Sequence, residues 1–288
     1  MYEIKKNYKE NAKLRQSFNE LAKKTFSLDF EDWYQNGYWK ENYNPYSIVH
    51  ENQVVANVSV NITDVIWDGV KKHFIQLGTV MTDEAYRNQG LIRMLMEEID
   101  KDYGQKADGI YLFAGADVLE FYPKFGFQKA AEYQYSKQVK HQKEKTMKQI
   151  LMNEKPAWDT LEKAIKRSVV CGSFDMVGNS DLSMFYVTKF MQENVYYDEL
   201  LDVYAIAEIE EDNIFIHNVF AEKKVDLDAI IEAFGKEIKK VTLGFVPRNK
   251  ESYSVEEIKE EDTTLFVKGK GFKDFDEARV MFQTLAHA

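Results

Sequence analysis

The 288-residue chain is long for one domain and a comfortable length for two. Hydrophobic residues make up 44% and charged residues 30%, which excludes a disordered chain, and no window nears the ~18 uninterrupted apolar residues of a membrane span. The net charge of −10 disfavours nucleic acid and favours cationic partners such as amines, while the lone Cys171 excludes a disulfide framework. The first ten residues lack the apolar stretch of a secretory signal, so the expected location is cytoplasmic, without membrane association.

In chain order, Leu14, Phe18, Leu21 and Ala22 recur at helical spacing and predict a helix over 12–25, with Asn11 as its cap. A second, aromatic-rich helix is predicted over 30–39, ending near Gly37. The pattern then turns to strands at 47–50 and 54–62, a turn at Trp67-Asp68-Gly69, and a largely apolar strand at 73–82. Gly90 opens a helix running to about 103. A short buried strand at 109–114, a short helix at 118–124 and a pair of strands ending near Val139 follow. Lys137, Lys140, Lys143, Lys145 and Lys148 read as a solvated connector. Beyond it come helices at 156–167 and 181–191, a hairpin of 203–209 with 214–221, a helix at 227–234 and a strand at 241–246. That order repeats the order of the first half, in pattern and not in residue identity.

The informative segment runs from Gln76 to Arg93, where an apolar strand passes through a short turn into a helix that opens at a glycine. Amides at a helix start have no internal partner and sit at the positive end of the helix dipole. They can cradle a pyrophosphate, with Arg87 adding charge and Gly90 letting phosphate approach the main chain. Alone, the spacing Arg-x-x-Gly is a weak motif. Downstream, Phe121-Tyr122-Pro-Lys-Phe-Gly126-Phe127 sets a tyrosine four positions before Gly-Phe.

Together these two segments resemble the two hallmark motifs of the GNAT N-acetyltransferase superfamily, and the resemblance covers about residues 46–130. Ile92 stands where the superfamily's last motif glycine or alanine is found. Arg-x-x-Gly-Leu-Ile-Arg is closer to the tandem-GNAT group typified by the enhanced-intracellular-survival aminoglycoside acetyltransferases. That group carries a second GNAT-like domain without a working cofactor motif, and a third, sterol-carrier-like domain for which this chain is too short. The resemblance implies an α/β (α+β) fold of two GNAT-like domains, each a mixed, mostly antiparallel sheet flanked by helices. Residues 1–140 would form the catalytic domain with the acetyl-CoA site. Residues 145–288 would form a non-catalytic domain that shapes the acceptor cleft or makes a homo-oligomer interface.

The implied reaction is direct attack of a small-molecule primary amine on the thioester of acetyl-CoA. The alternatives are a peptide or protein acceptor, and an acetyl-CoA sensor without turnover. Backbone groups of Val80, Met81 and Thr82 would hold the pantetheine arm, and Arg87, Asn88, Gln89, Gly90, Leu91, Ile92 and Arg93 the pyrophosphate. Tyr122 would protonate the departing thiolate. For the acceptor, Trp33, Tyr38 and Trp39, beside Glu31, Asp32 and Glu41, would suit a cation. None of the five histidines sits in a motif, so the general base is left open. His73 and Asp64 are read as surface residues, and no ligand cluster implies a metal. The uncharged tail 280–288 carries Met281, Phe282 and Leu285 and could pack. By resemblance its terminal carboxylate, on Ala288, could enter the active site.

Overall fold

The computed structural model describes residues 1–260 and 263–287. Its elements are β1 (Glu3–Lys6), α1 (Ala12–Phe26), α2 (Glu31–Gln35), β2 (Tyr43–His50), β3 (Gln53–Trp67), β4 (Val70–Thr82), α3 (Leu91–Tyr103), β5 (Gly109–Ala114), β6 (Gln128–Lys129) and β7 (Tyr133–Gln138). The chain continues with β8 (Lys148–Ile150), α4 (Lys155–Arg167), β9 (Gly172–Val177), α5 (Ser180–Lys189), β10 (Val195–Asp198), β11 (Val203–Glu210), β12 (Asn213–Ala221) and α6 (Leu227–Ala233). Then come β13 (Lys240–Leu243), β14 (Val246–Pro247), β15 (Ser254–Glu257), β16 (Thr264–Lys268) and α7 (Phe275–Ala278). Helix α1 starts where expected because Asn11 accepts the Leu14 amide at 3.2 Å, a cap of about 1 kcal/mol. Helix α2 is shorter than the pattern suggested: the chain turns left-handed at Gly37, and Tyr38 and Trp39 lie beyond it. The helix expected over 118–124 is a pair of single turns, at Ala116–Val118 and Tyr122–Phe125.

Two mixed, mostly antiparallel sheets flanked by helices make up the fold. The first has the order β1-β2-β3-β4-β5-β16-β6, with β9 on the far end of β3 and β14 on β9. The second has the order β15-β7-β13-β12-β11-β10-β8. The parallel pairs are β4 with β5 and β12 with β13.

The boundary expected at 140–145 does not divide the sheets. Strand β7 belongs to the second sheet, and β9, β14 and β16, all from the second half, belong to the first. Between β5 and β6, β16 buries Leu265 and Phe266, successive residues facing opposite sides of the sheet. The strand expected over 241–246 breaks at Gly244, whose amide bonds Ile216 O, and its two pieces go to different sheets.

The tail also ties the halves together. Phe282 stacks on Tyr111 of β5 with centroids 3.8 Å apart, and its amide donates to Glu132 Oε1 at 2.7 Å. Met281, Phe282 and Leu285 are all buried. Removing this segment from water stabilises both sheets at once, at roughly 1.5–3 kcal/mol per large apolar side chain.

Candidate active site

Strands β4 and β5 pair in parallel from Phe74 opposite Gly109 to Leu77 opposite Leu112. Strand β4 then continues to Thr82 along β3 alone, so Gly78–Thr82 present one unpaired edge to a wedge-shaped gap. A bulge opens the gap: the β3–β4 register shifts between Asn57 and Ser59, and Thr79 has φ +48°. A β-branched residue in the left-handed region is strained by about 1–3 kcal/mol, and the surroundings must hold it there. Asn57 does so, donating to Thr79 O at 2.9 Å from a buried network with Ser47 and Ser59. Tyr43 adds a 2.6 Å hydroxyl contact to Thr79 Oγ1. Neither Asn57 nor Thr79 stood out in the sequence. The available signal was Gly78 inside an apolar strand, a common mark of a bulge.

Val80, Met81 and Thr82, expected to hold the pantetheine arm, lie along this edge. The Met81 side chain is buried and those of Val80 and Thr82 are half-buried, leaving the backbone as the polar feature of the gap.

After Thr82 the chain makes one turn, with Asp83 accepting the Ala85 amide at 3.0 Å, and reaches α3 through an exposed loop. Asn88 and Gly90 are both left-handed, at φ +62° and +78°. A Cβ at Gly90 would meet nothing within 4 Å, so glycine is required there by the backbone and the space before the helix is open. Gly90 brings no capping side chain. Met94 is the first residue whose amide bonds back into the helix, to Gly90 O at 3.2 Å, leaving those of Leu91, Ile92 and Arg93 aimed outward. Exposed Arg87 stands beside them, 3.8 Å from Glu84, too far for a strong pair. These groups fit a phosphate-bearing ligand. Gln89 does not join them through its side chain, which accepts from the Tyr2 hydroxyl at 2.5 Å and donates to Ala85 O. Arg93 faces a cleft of about 260 Å3 that it shares with Lys124, its guanidinium 5.5 Å from the Phe125 ring.

Tyr122 opens a single turn that closes at left-handed Gly126, the backbone reason for that motif glycine. The ring is 5% exposed and packs among Phe121, Phe127 and Phe266, the last contributed by β16. Burial pushes its phenol up to about 12, and the hydroxyl is committed to no partner among the described residues. It is therefore protonated at every working pH and free to donate.

The acceptor residues divide. Trp33 lines an apolar cavity of about 260 Å3 with Phe30, Tyr43, Thr79, Phe185 and His287, at the bulge of β4. Tyr38 and Trp39 are instead core residues, tied to Asp159 Oδ1 at 2.8 Å and Tyr43 O at 2.9 Å. Nor do the carboxylates form a cationic cage, because Glu31 pairs with Arg15 at 2.9 Å and Glu41 with Lys9 at 2.6 Å. His73 and Asp64 pair at 2.8 Å, in contact also with Lys71, away from the wedge. The tail brings His287 to the cavity, its ring stacked at 3.8 Å on Phe113 and its carbonyl accepting from Tyr186 at 2.7 Å. No periodicity singled out His287, because only the tail's packing carries it there. Ala288, expected to act through its carboxylate, lies outside the described residues. No group of His, Cys, Asp and Glu among the described residues could hold a metal ion, and no helix is long and apolar enough to cross a membrane.

A bulged strand splayed from its parallel neighbour, running into an uncapped helix start, is the arrangement of a GNAT-type fold. Residues 9–130 match the family model described as an acetyltransferase (GNAT) domain. Among solved structures, the chain is similar to a probable N-acyltransferase from Enterococcus faecalis V583, at TM-score 0.57 and 14% identity over 96% of this chain and 74% of that one. It is also similar to Eis1 from Mycobacterium abscessus (TM-score 0.57, 11% identity, 92% and 73%) and to a GCN5-related N-acetyltransferase from Kribbella flavida (0.56, 13%, 94% and 72%). At these identities the likeness is one of fold. No curated protein matches the sequence.

Proposed function

We propose that the protein is an acetyl-CoA-dependent N-acetyltransferase that moves an acetyl group to a primary amine of a small molecule by direct attack. The observation that carries this reading is the continuity of the β4 wedge with the uncapped start of α3. The pantetheine arm would lie along the free edge of Gly78–Thr82, with its pyrophosphate on the amides of Leu91–Arg93 beside Arg87. An amide of the edge would polarise the thioester carbonyl.

The acceptor's neutral nitrogen attacks that carbonyl, a C–N bond forms, the C–S bond breaks, and Tyr122 gives its proton to the leaving thiolate; the proton that the nitrogen loses as the amide forms passes to solvent, from which Tyr122 is reprotonated. An amine that arrives protonated releases its proton to solvent at the cavity mouth. A phenol near 12 is a weak acid, yet the dry surroundings that raise it raise the departing thiol as well, so donor and acceptor shift together. The apolar cavity beside Thr79 favours a small molecule over a peptide, whose backbone polar groups would be left unpaired there.

Tyr122→Phe tests the reading. Turnover followed by thiol release should fall roughly 100-fold or more, with the acetyl-CoA-induced rise in Tm retained. An unchanged kcat under conditions where chemistry limits would return Tyr122 to the core. Loss of the Tm shift would show damage to the fold.

A further inference from the structure

The cavity at the β4 bulge has a chemical character of its own. Its walls are aromatic and aliphatic, and among the described residues no carboxylate, lysine or arginine lines it. Its polar groups are few: the hydroxyls of Tyr43 and Thr79, held to each other at 2.6 Å, the Tyr186 hydroxyl, and His287. His287 Nε2 is buried without a partner among the described residues, and burial pushes the imidazole down to about 4, so it is neutral in the working range. Two phenylalanines from opposite halves of the chain stand at the rim, Phe26 at 42% and Phe190 at 54% exposure. At about 260 Å3 the space falls just below the ~300–1,000 Å3 typical of drug-sized ligands, which suits one ring or a short aliphatic chain.

Resting on the proposed acetyltransferase reading, we infer that the acceptor is a small hydrophobic monoamine of the arylalkyl type. Its ring or chain fills the cavity and its nitrogen lies at the Thr79 end. An ammonium set against the aliphatic and aromatic walls of Leu28, Phe30, Leu182 and Phe185 gives up its hydration for no hydrogen bond, which is strongly disfavoured. A polyamine or aminoglycoside would have to place its further charges against aromatic walls or leave them outside. A monoamine presents its one nitrogen to the polar end and nothing charged to the walls. The net charge of −10 still draws amines to the protein, but selection at the site is apolar.

The test compares phenethylamine with spermidine as acceptors for acetyl-CoA, scored by thiol release. The expected result is a kcat/KM at least roughly 100-fold higher for phenethylamine. Phe190→Glu, and separately Phe26→Glu, should each lower that value roughly tenfold while leaving the acetyl-CoA-induced Tm shift unchanged. Equal or better use of spermidine overturns the inference, as does indifference of phenethylamine turnover to both rim charges. Preference for octanoyl-CoA over acetyl-CoA without any preference among amines would assign the cavity to the acyl chain and overturn it too. Absence of an acetyl-CoA shift in the unaltered protein would sink the cofactor reading instead. Calorimetric binding of phenethylamine alone then decides the cavity by itself: binding supports a hydrophobic-amine site, and no binding overturns it.

Discussion

The molecule contains the same device twice, and only one copy is open. Strand β4 runs five residues past its last pairing with β5, Gly78–Thr82, and β12 runs five past its last pairing with β13, residues 217–221. Both have a register shift against the preceding strand near the split. In the second sheet the split is filled from within. Thr284 N donates to Gly244 O at 3.0 Å, and Thr284 Oγ1 meets His217 Nδ1 at 2.9 Å. The helix starts differ in the same sense. At α6 the carboxylate of Asp226 caps the Asp228 amide at 3.1 Å, and Asp228 adds another negative charge where a phosphate would sit. At α3 the cap is Gly90, which brings neither a carboxylate nor a Cβ. A splayed parallel pair is therefore a scaffold, and what enters the split decides whether it is a ligand site or a seat for the chain's own tail.

The sharpest way to break this comparison is to count ligands. Calorimetry should give one acetyl-CoA per chain, and Arg87→Ala combined with Gly90→Glu should give none while abolishing the Tm rise that ligand binding produces. A stoichiometry near two, or one that survives the double variant, would place the ligand elsewhere.

A smaller effect is expected at the bulge. Asn57→Ala removes the donor that holds Thr79 O and strands buried partners at Ser47 and Ser59. Urea denaturation should show a loss of about 1–3 kcal/mol, and the KM for acetyl-CoA should rise several-fold as the edge relaxes. Unchanged affinity at reduced stability would mean that the bulge does not shape the site.

The mildest prediction concerns the tail that fills the second split, seated where Glu132 accepts the Phe282 amide. Burial pushes the Glu132 carboxyl up to about 8. Between the unfolded value near 4.5 and about 8, the folded chain holds a proton that the unfolded chain has released, so stability falls as pH rises through that window. Glu132→Gln keeps the accepting oxygen and removes the titration. Its Tm should match that of the unaltered protein at pH 5 and exceed it by a few degrees at pH 8.5. An equal difference at both pH values would show that Glu132 does not titrate in that window.

Much of the backbone of the proposed cofactor side was legible because its requirements are local. Gly90 and Gly126 mark left-handed turns that a backbone needs whatever surrounds it, and the strand–turn–helix order places the amides of Leu91–Arg93 without reference to distant residues. Tyr122 was found from its spacing to Gly126-Phe127 for the same reason. The proposed acceptor side was not legible. An aromatic run such as 30–39 reads alike whether it lines a cavity or fills a core, and the structure sends Trp33 to the cavity and Tyr38 and Trp39 to the core.

By itself, then, the sequence determined the α/β class, the glycine-opened turn before α3 and the left-handed turn at Gly126 that follows Tyr122. Only the tertiary structure decided that β7 and β16 change sheets, that Asn57 holds the bulge at Thr79, and that the tail closes the second split and carries His287 to the first. The physical reason is range. Turns and helix starts are set by neighbours within a few residues, whereas strand partners and cavity walls are chosen by burial and register among segments more than a hundred residues apart, a choice that no local pattern encodes.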